Sequence, residues 1–217
     1  MYLPSHFEEH NRDVLRRLMA DHPLATLIGQ SASGVLIEHI PLQWKAAPGG
    51  GEGVLIGHVA RANTVWQQWP EGSLVTAVFH GPQAYVTPAW YPSKREHGKV
   101  VPTWNYSVVH VEGRIHWTQQ GATMRPILDA LTDQHEAPRA HPWSVNDAPA
   151  DYTASMMAAV VGLRIEIDRL RGKFKLSQNR SRVDREGVLR GLHDEPDAEH
   201  DAMLRLMQDG PGPGAGT

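Results

Sequence analysis

The chain has 217 residues, 41% of them hydrophobic and 21% charged, with a net charge of −3 and no cysteine. These values suit one ordinary globule; they exclude disulfides, thiolate metal sites and cysteine nucleophiles together, and they offer nucleic acid no global attraction. No apolar run approaches the roughly eighteen residues of a membrane span and no basic-then-apolar leader opens the chain, so a cytoplasmic protein with no membrane partner is expected.

Val14, Leu15, Leu18 and Met19 share one helical face between Glu8 and Asp21, and His22-Pro23 ends that helix. His6-Phe7-Glu8-Glu9-His10 matches the HxxEH pattern of zinc peptidases. It sits at a helix start beside Pro4 with no third ligand specified, and Glu8 and Glu9 suit a helix N-terminus electrostatically, so no metal site is expected. PLATLIGQ, the turn SASG and VLIEHIPLQW predict a β-hairpin, followed by an exposed loop over 46–53. GVLIGHVA and SLVTAVFH read as strands joined by a short helix, NTVWQQW.

Between Phe79 and Gly113, Trp90, Tyr91, Trp104 and Tyr106 stand among Pro82, Pro88, Pro92 and Pro102. Those prolines forbid a regular helix and favour extended neighbours, which puts the aromatics on loops and strand ends. They suit either the cap of a barrel core or a surface that holds something flat. WNYSVVHVEGRIHW predicts a long strand bent at Gly113. Met124, Ile127, Leu128 and Leu131 mark a helix with Pro126 in its first turn, and another helix begins near Pro149. Leu163, Ile165 and Ile167 alternate with Arg164, Glu166 and Asp168, the signature of a strand with one buried face. A polar helical region broken at Pro196 runs from Ser181 to about Gln208, and 210–217 read as a disordered tail.

Antiparallel strands with a few helices predict a mainly β or α+β barrel and argue against a doubly wound nucleotide fold. The chain has no GxGxxG after a strand, no GxxxxGK[ST] and no GxSxG. A hydrolase is therefore not expected, and no catalytic residue stands out.

Taken together and in this order, MYLPSHF (1–7), GHVARANTVW (57–66), FHGPQAYVTPAWYPSK (79–94), VPTWNYSVVHVEG (101–113) and KLSQNRS (175–181) resemble the PaiB family of FMN-binding proteins, described as negative transcriptional regulators. The resemblance reaches from the first residue to about Arg190. It implies an FMN-binding split β-barrel with peripheral helices over 1–190, leaving a helical extension over 191–209. It also implies a homodimer whose two chains share a pair of FMN sites, and a regulatory or sensory role. Two other roles stay open: a flavin-dependent oxidoreductase acting on a small molecule, and a haem protein using histidines such as His193 and His200.

Two segments carry the chemistry. A strand ending near Ala60, followed by Arg61, by Asn63 as a helix N-cap and by Thr64, would present backbone N–H groups, a guanidinium and a hydroxyl to a phosphate. The competing reading is a plain helix cap with a solvated arginine; the resemblance favours the phosphate. Trp104 or Tyr106 can cover an isoalloxazine face. Asn105, Gln178 and Asn179 can both donate and accept at its pyrimidine edge, and Lys175 and Arg180 can balance the charge of a reduced flavin. The competing reading for these is a core aromatic pair and a polar turn. His58 and His80 are the histidines expected to line a pocket. Direct DNA binding has weak support, because the cation-rich stretch from Arg164 to Arg190 lacks a recognisable helix-turn-helix partner.

Overall fold

A computed structural model describes residues 1–47, 49–119 and 121–209; the expected tail lies outside the described residues. The strands are β1 (Glu8–Glu9), β2 (Leu24–Ser31), β3 (Gly34–Pro41), β4 (Gln43–Lys45), β5 (Val54–Ala60), β6 (Leu74–Val86), β7 (Thr103–Thr118) and β8 (Val160–Lys175). The helices are α1 (Arg12–Asp21), α2 (Val65–Gln68), α3 (Ser93–His97), α4 (Gly121–Glu136), α5 (Ala150–Ala158), α6 (Arg182–Asp194) and α7 (Ala198–Asp209). The sheet runs in the order β3-β2-β6-β7-β8-β5-β4, and β1 pairs with β8.

The chain forms two compact units from interleaved segments. One unit holds Met1–Leu15, His80–Val109 and the chain from Arg171 on; the other holds Arg16–Phe79 and His110–Leu170. β6, β7 and β8 each contribute to both.

In the Arg16–Phe79 and His110–Leu170 unit, the predicted hairpin forms as β2 and β3, in register from Leu24↔Pro41 to Ser31↔Gly34. Alternation along β2 and β5 buries Ala25, Leu27, Leu55 and Val59. Gly113 proves to be a point of close approach: a Cβ there would lie 2.1 Å from the Glu166 carbonyl oxygen, so only glycine lets β8 pass. Pro126 lies in the second turn of α4, not the first as expected. At α2 the N-cap is Thr64, not Asn63, although the Asn63 Oδ1 accepts from the Val65 N–H at 2.9 Å.

In the other unit, the first helix starts four residues later than its apolar spacing predicts. Glu8 and Glu9 form β1, opposite Lys173 and Gly172. The Glu9 carboxylate accepts from the Asn11 N–H at 2.7 Å and the Asn11 Oδ1 from the Asp13 N–H at 2.9 Å, which sets the helix start at Arg12. His6 falls in a 3-10 turn, Ser5–Phe7, so His6 and His10 do not share a helical turn. β6 runs past Pro82 to Val86, further than its sequence suggests. The proline lacks a donor, but its carbonyl still accepts from the Ser107 hydroxyl at 3.4 Å.

β8 changes phase along its length. Leu163 and Ile165 are buried, then Leu170, Gly172 and Phe174, so the buried positions switch from odd to even numbers across Asp168-Arg169. That switch fixes which face Lys173 and Lys175 occupy.

Candidate functional site

Alternation places Trp104 and Tyr106 on one face of β7, and Lys173 and Lys175 on one face of β8. The Lys175 ammonium donates to the Trp104 carbonyl oxygen at 2.7 Å and to the Thr103 hydroxyl. Lys173, only 8% exposed, donates to the Tyr2 carbonyl at 3.1 Å and lies 5.3 Å from the Tyr106 ring centroid and 5.5 Å from that of Tyr2. Tyr85 of β6 meets Trp104 edge to face, with centroids 5.8 Å apart. Tyr85 and Trp104 remain 44% and 50% exposed, large values for aromatic side chains already in contact.

The turn after β8 is built to hold a fixed shape. Ser177 has φ +62°, the left-handed region, and its hydroxyl exchanges hydrogen bonds with the fully buried Asn105 amide at 3.0 and 3.2 Å. The Asn105 Nδ2 also reaches the Met207 sulfur of α7 at 3.5 Å. The Gln178 side chain folds back on its own turn, accepting from the Leu176 N–H at 2.6 Å and donating to the Phe174 carbonyl. Asn105 and Gln178 therefore shape the turn, and their amides are occupied. Asn179 is exposed. The Arg180 guanidinium lies 4.9 Å above the ring of Tyr91, which is 2% exposed. The buried Asp184 accepts from the Ser93 N–H at 3.1 Å and from its hydroxyl at 2.8 Å.

Lys175 is electrostatically poised. Burial holds its pKa below the ordinary lysine value, and the neighbouring charges of Arg180 and Lys173 push it the same way. Trp104, Tyr106 and Lys175 thus belong to one aromatic and cationic cluster, which also recruits Tyr85, Lys173 and Tyr2, while Arg180 rests on Tyr91. Sequence reading missed Tyr85 because Gly81-Pro82 looked like the end of a strand. The signal was present in the alternation of buried Ala84, exposed Tyr85 and buried Val86.

Arg61, Asn63, Thr64 and His58 lie in the other unit, whereas His80 belongs to the unit of the cluster. The Arg61 guanidinium donates from Nε to the Ala158 carbonyl at 2.7 Å, from Nη1 to the Gln119 Oε1 at 2.8 Å and from Nη2 to the Val160 carbonyl at 3.0 Å. Two of its five N–H groups thus tie the end of α5 to the start of β8 and a third reaches the residue after β7; the other two have no partner among the described residues. The Thr64 hydroxyl accepts from the Gln68 amide at 2.8 Å, so its own proton remains available. His58 stands opposite Gly162 of β8, its Nδ1 buried without a partner among the described residues, and burial lowers its pKa. His80 is exposed.

A sequence model of the family described as "Putative FMN-binding domain" matches residues 1–169. Among curated proteins, the chain is 34% identical to an uncharacterized protein, AN0679, of Emericella nidulans, over 88% of this chain and 90% of that one. It is 26% identical to protease synthase and sporulation protein PAI 2 of Bacillus subtilis, over 96% and 97% of the two chains. Among solved structures it is similar to the FAD and haem binding protein from Mycobacterium smegmatis, with a TM-score of 0.59 and 19% identity over 77% of this chain and 73% of that one. The conserved hypothetical protein Rv2991 from Mycobacterium tuberculosis gives a TM-score of 0.52 and 10% identity over 83% and 94%. The fold is accordingly α+β, of the split-barrel kind, and FMN is the cofactor that the family implies. The residues present fit that group: exposed aromatic faces for a flat ring, with lysine and arginine donors beside them for its polar edge or its phosphate.

Proposed function

The chain belongs to the FMN-binding domain family and is PaiB-like, and on that premise we propose that it is a flavin-holding regulator or sensor whose ring-binding surface is the cluster of Tyr85, Trp104, Tyr106, Lys173 and Lys175. The observation that carries this reading is the exposed Tyr85–Trp104 pair beside a lysine whose charge is destabilised by burial and by like charges. A reduced flavin is anionic at its pyrimidine edge, and such a lysine gains most from an anion nearby. Bound FMN supplies reversible electron uptake; the chain supplies the plane, the donors and the cations. The resemblance supports Arg61, Asn63 and Thr64 as phosphate ligands and His58 as a lining residue. Residues 1–190 form the proposed cofactor domain and 191–209 its helical extension.

We take the protein to act as a homodimer in the cytoplasm. Val35 and Ile37 on the edge strand β3, with Leu24 of β2 and Leu74 of β6, are each about 60% exposed, an apolar surface that suits a second copy. No helix among the described residues is long and apolar enough to cross a membrane.

Titration of apo-protein with FMN, riboflavin and FAD, followed by flavin fluorescence and light scattering, tests the reading. FMN is expected to bind best and to favour the dimer through mass action. No flavin binding refutes it, and a monomer that keeps FMN tightly refutes the shared site.

An oxidoreductase acting on a small molecule is the second reading, favoured by the same exposed aromatic face; reduction of bound FMN by a nicotinamide cofactor followed by turnover would establish it. Haem has less support. His193 is bonded to its neighbour Asp194 at 3.0 Å, and the His200 Nδ1 is engaged by the Glu195 carbonyl. DNA binding is expected to be weak and salt-sensitive or absent, because Arg164, Arg169 and Arg182 of the cation-rich stretch have carboxylate partners. Submicromolar, sequence-selective binding in a mobility-shift titration at physiological salt would make repression the primary role.

A further inference from the structure

Tyr85 and Trp104, the exposed pair of the cluster, are carried by different segments, and each segment is gripped by a different C-terminal helix. Tyr85 stands near the end of β6, shortly before Trp90. Trp90 lies on the glycine face of α6: a Cβ at Gly187 would meet the Trp90 carbonyl oxygen at 2.1 Å, and one at Gly191 the indole Cδ2 at 2.2 Å. The indole Nε1 donates to the Glu195 carboxylate, just past the end of α6, at 3.0 Å. Ser93 then ties the same segment to α6, its N–H and its hydroxyl donating to Asp184 at 3.1 and 2.8 Å.

Trp104 is held from the opposite face of its strand. Neighbouring side chains on β7 point to opposite faces, so fixing Asn105 inward fixes Trp104 outward. Asn105 is fully buried, and its Nδ2 donates to the Ser177 hydroxyl at 3.0 Å and to the Met207 sulfur of α7 at 3.5 Å. Met207 is buried too, on one helical face with the buried Met203. The two helices are joined in turn. Met207 belongs to the last turn of α7, where carbonyls have no intrahelical donor, and the Arg185 Nη2 of α6 donates to its carbonyl oxygen at 2.7 Å. Both helices lie beyond residue 169, where the match to the FMN-binding family model ends.

We propose that α6 and α7 are a positioning device for the aromatic surface, with Arg185 and Met207 as its positioning residues. α6 fixes the segment that follows Tyr85, α7 fixes the residue that follows Trp104, and the Arg185–Met207 hydrogen bond sets one against the other. Neither residue touches the ligand; they act through Trp90 and Asn105 on a pair whose ring centroids lie 5.8 Å apart. A binding surface has to be held to within about 0.5 Å, so one that is split between two segments needs a tie of this kind. The effect on ligand rests on the flavin reading above, whereas the effect on the Tyr85–Trp104 geometry does not.

Near-UV circular dichroism of the full chain without flavin is the first measurement. The difference between the unaltered protein and Trp104→Leu defines the signal of the Tyr85–Trp104 contact. Arg185→Met keeps the aliphatic stem and removes the donor, and Met207→Ala removes the contact with Asn105. Both are expected to lose much of that signal at a temperature where far-UV dichroism shows them folded, and Arg185→Lys, which can still donate to the Met207 carbonyl, is expected to keep it. In flavin titrations Arg185→Met should weaken FMN and riboflavin alike by about threefold to tenfold, because the ring surface and not the phosphate is displaced. In a Trp104→Leu background the same substitution should have no further effect. The proposal is overturned if folded Arg185→Met and Met207→Ala both keep the dichroic signal. It is equally overturned if Arg185→Met weakens flavin by the same factor in both backgrounds, the sign of a general loss of stability. Absence of flavin binding in the unaltered protein would remove the flavin reading, and the dichroic signal would then decide the positioning role by itself.

Discussion

Gly191→Ala should destabilise the protein, against the helix preference of the two residues. Alanine in the last turn of α6 would by itself gain up to about 1 kcal/mol over glycine. Here a Cβ would lie 2.2 Å from Trp90 Cδ2 and 2.4 Å from both Cγ and Cε2, inside a ring that normally keeps its neighbours at about 3.5–4.0 Å. The indole has little room to retreat. Its Nε1 donates to the Glu195 carboxylate at 3.0 Å, its edge meets the His200 ring at 5.8 Å, and its own backbone carbonyl would lie 2.1 Å from a Cβ at Gly187. Overpacking of this kind costs about 1–3 kcal/mol, and three ring atoms in conflict argue for the upper part of that range. The net loss should therefore be about 1–2 kcal/mol, read as a lower urea midpoint at unchanged slope. A double-mutant cycle isolates the cause: in a Trp90→Leu background the clash is gone, and Gly191→Ala should become stabilising by about the helix-propensity gain. A Gly191→Ala protein more stable than the parent would refute the tight seating of Trp90 on α6.

Asn105→Ala should cost about 2–3 kcal/mol, because it leaves the Ser177 hydroxyl buried without its partner and opens a small cavity; urea unfolding of the single variants and of Asn105→Ala/Ser177→Ala should show strong coupling. Arg61→Ala removes three hydrogen bonds that join Ala158, Gln119 and Val160, so apo-protein should lose about 1.5–3 kcal/mol by urea unfolding, while any phosphate role appears separately as weakened FMN binding with riboflavin unchanged. His58 has its folded pKa lowered by burial from 6.5, so the unfolded chain binds the proton more tightly. Its effect on stability is absent above 6.5 and becomes a loss as pH falls below that value toward the folded pKa; His58→Leu should flatten this acid limb in thermal midpoints taken across the window.

The alternation of Leu163, Ile165 and Ile167 and the hairpin around SASG were readable because a two-residue period needs only local information. So was the family, from five ordered segments. Other features depended on contacts between distant residues. The start of α1 at Arg12 depends on Glu8 and Glu9 pairing with Lys173 and Gly172, more than 160 positions away. β6 survives Pro82 because its carbonyl meets Ser107. The roles of Asn105 and Gln178 could not be told from their type: an amide that binds a ligand and an amide that locks a turn are the same residue, and only the buried partners of each one separate them.

By itself, then, the sequence determined the α+β class, most strand cores and the family with its FMN, because apolar period and residue order survive without coordinates. Only tertiary structure decided which cations of β8 meet carboxylates and which rest on neutral groups. Arg164 and Arg169 of β8 meet the carboxylates of Glu166 and Glu112, while Lys175 of the same strand rests on the Trp104 carbonyl and the Thr103 hydroxyl. Charge count is a property of the chain, but whether a charge is neutralised depends on distances of a few ångströms that no local pattern encodes.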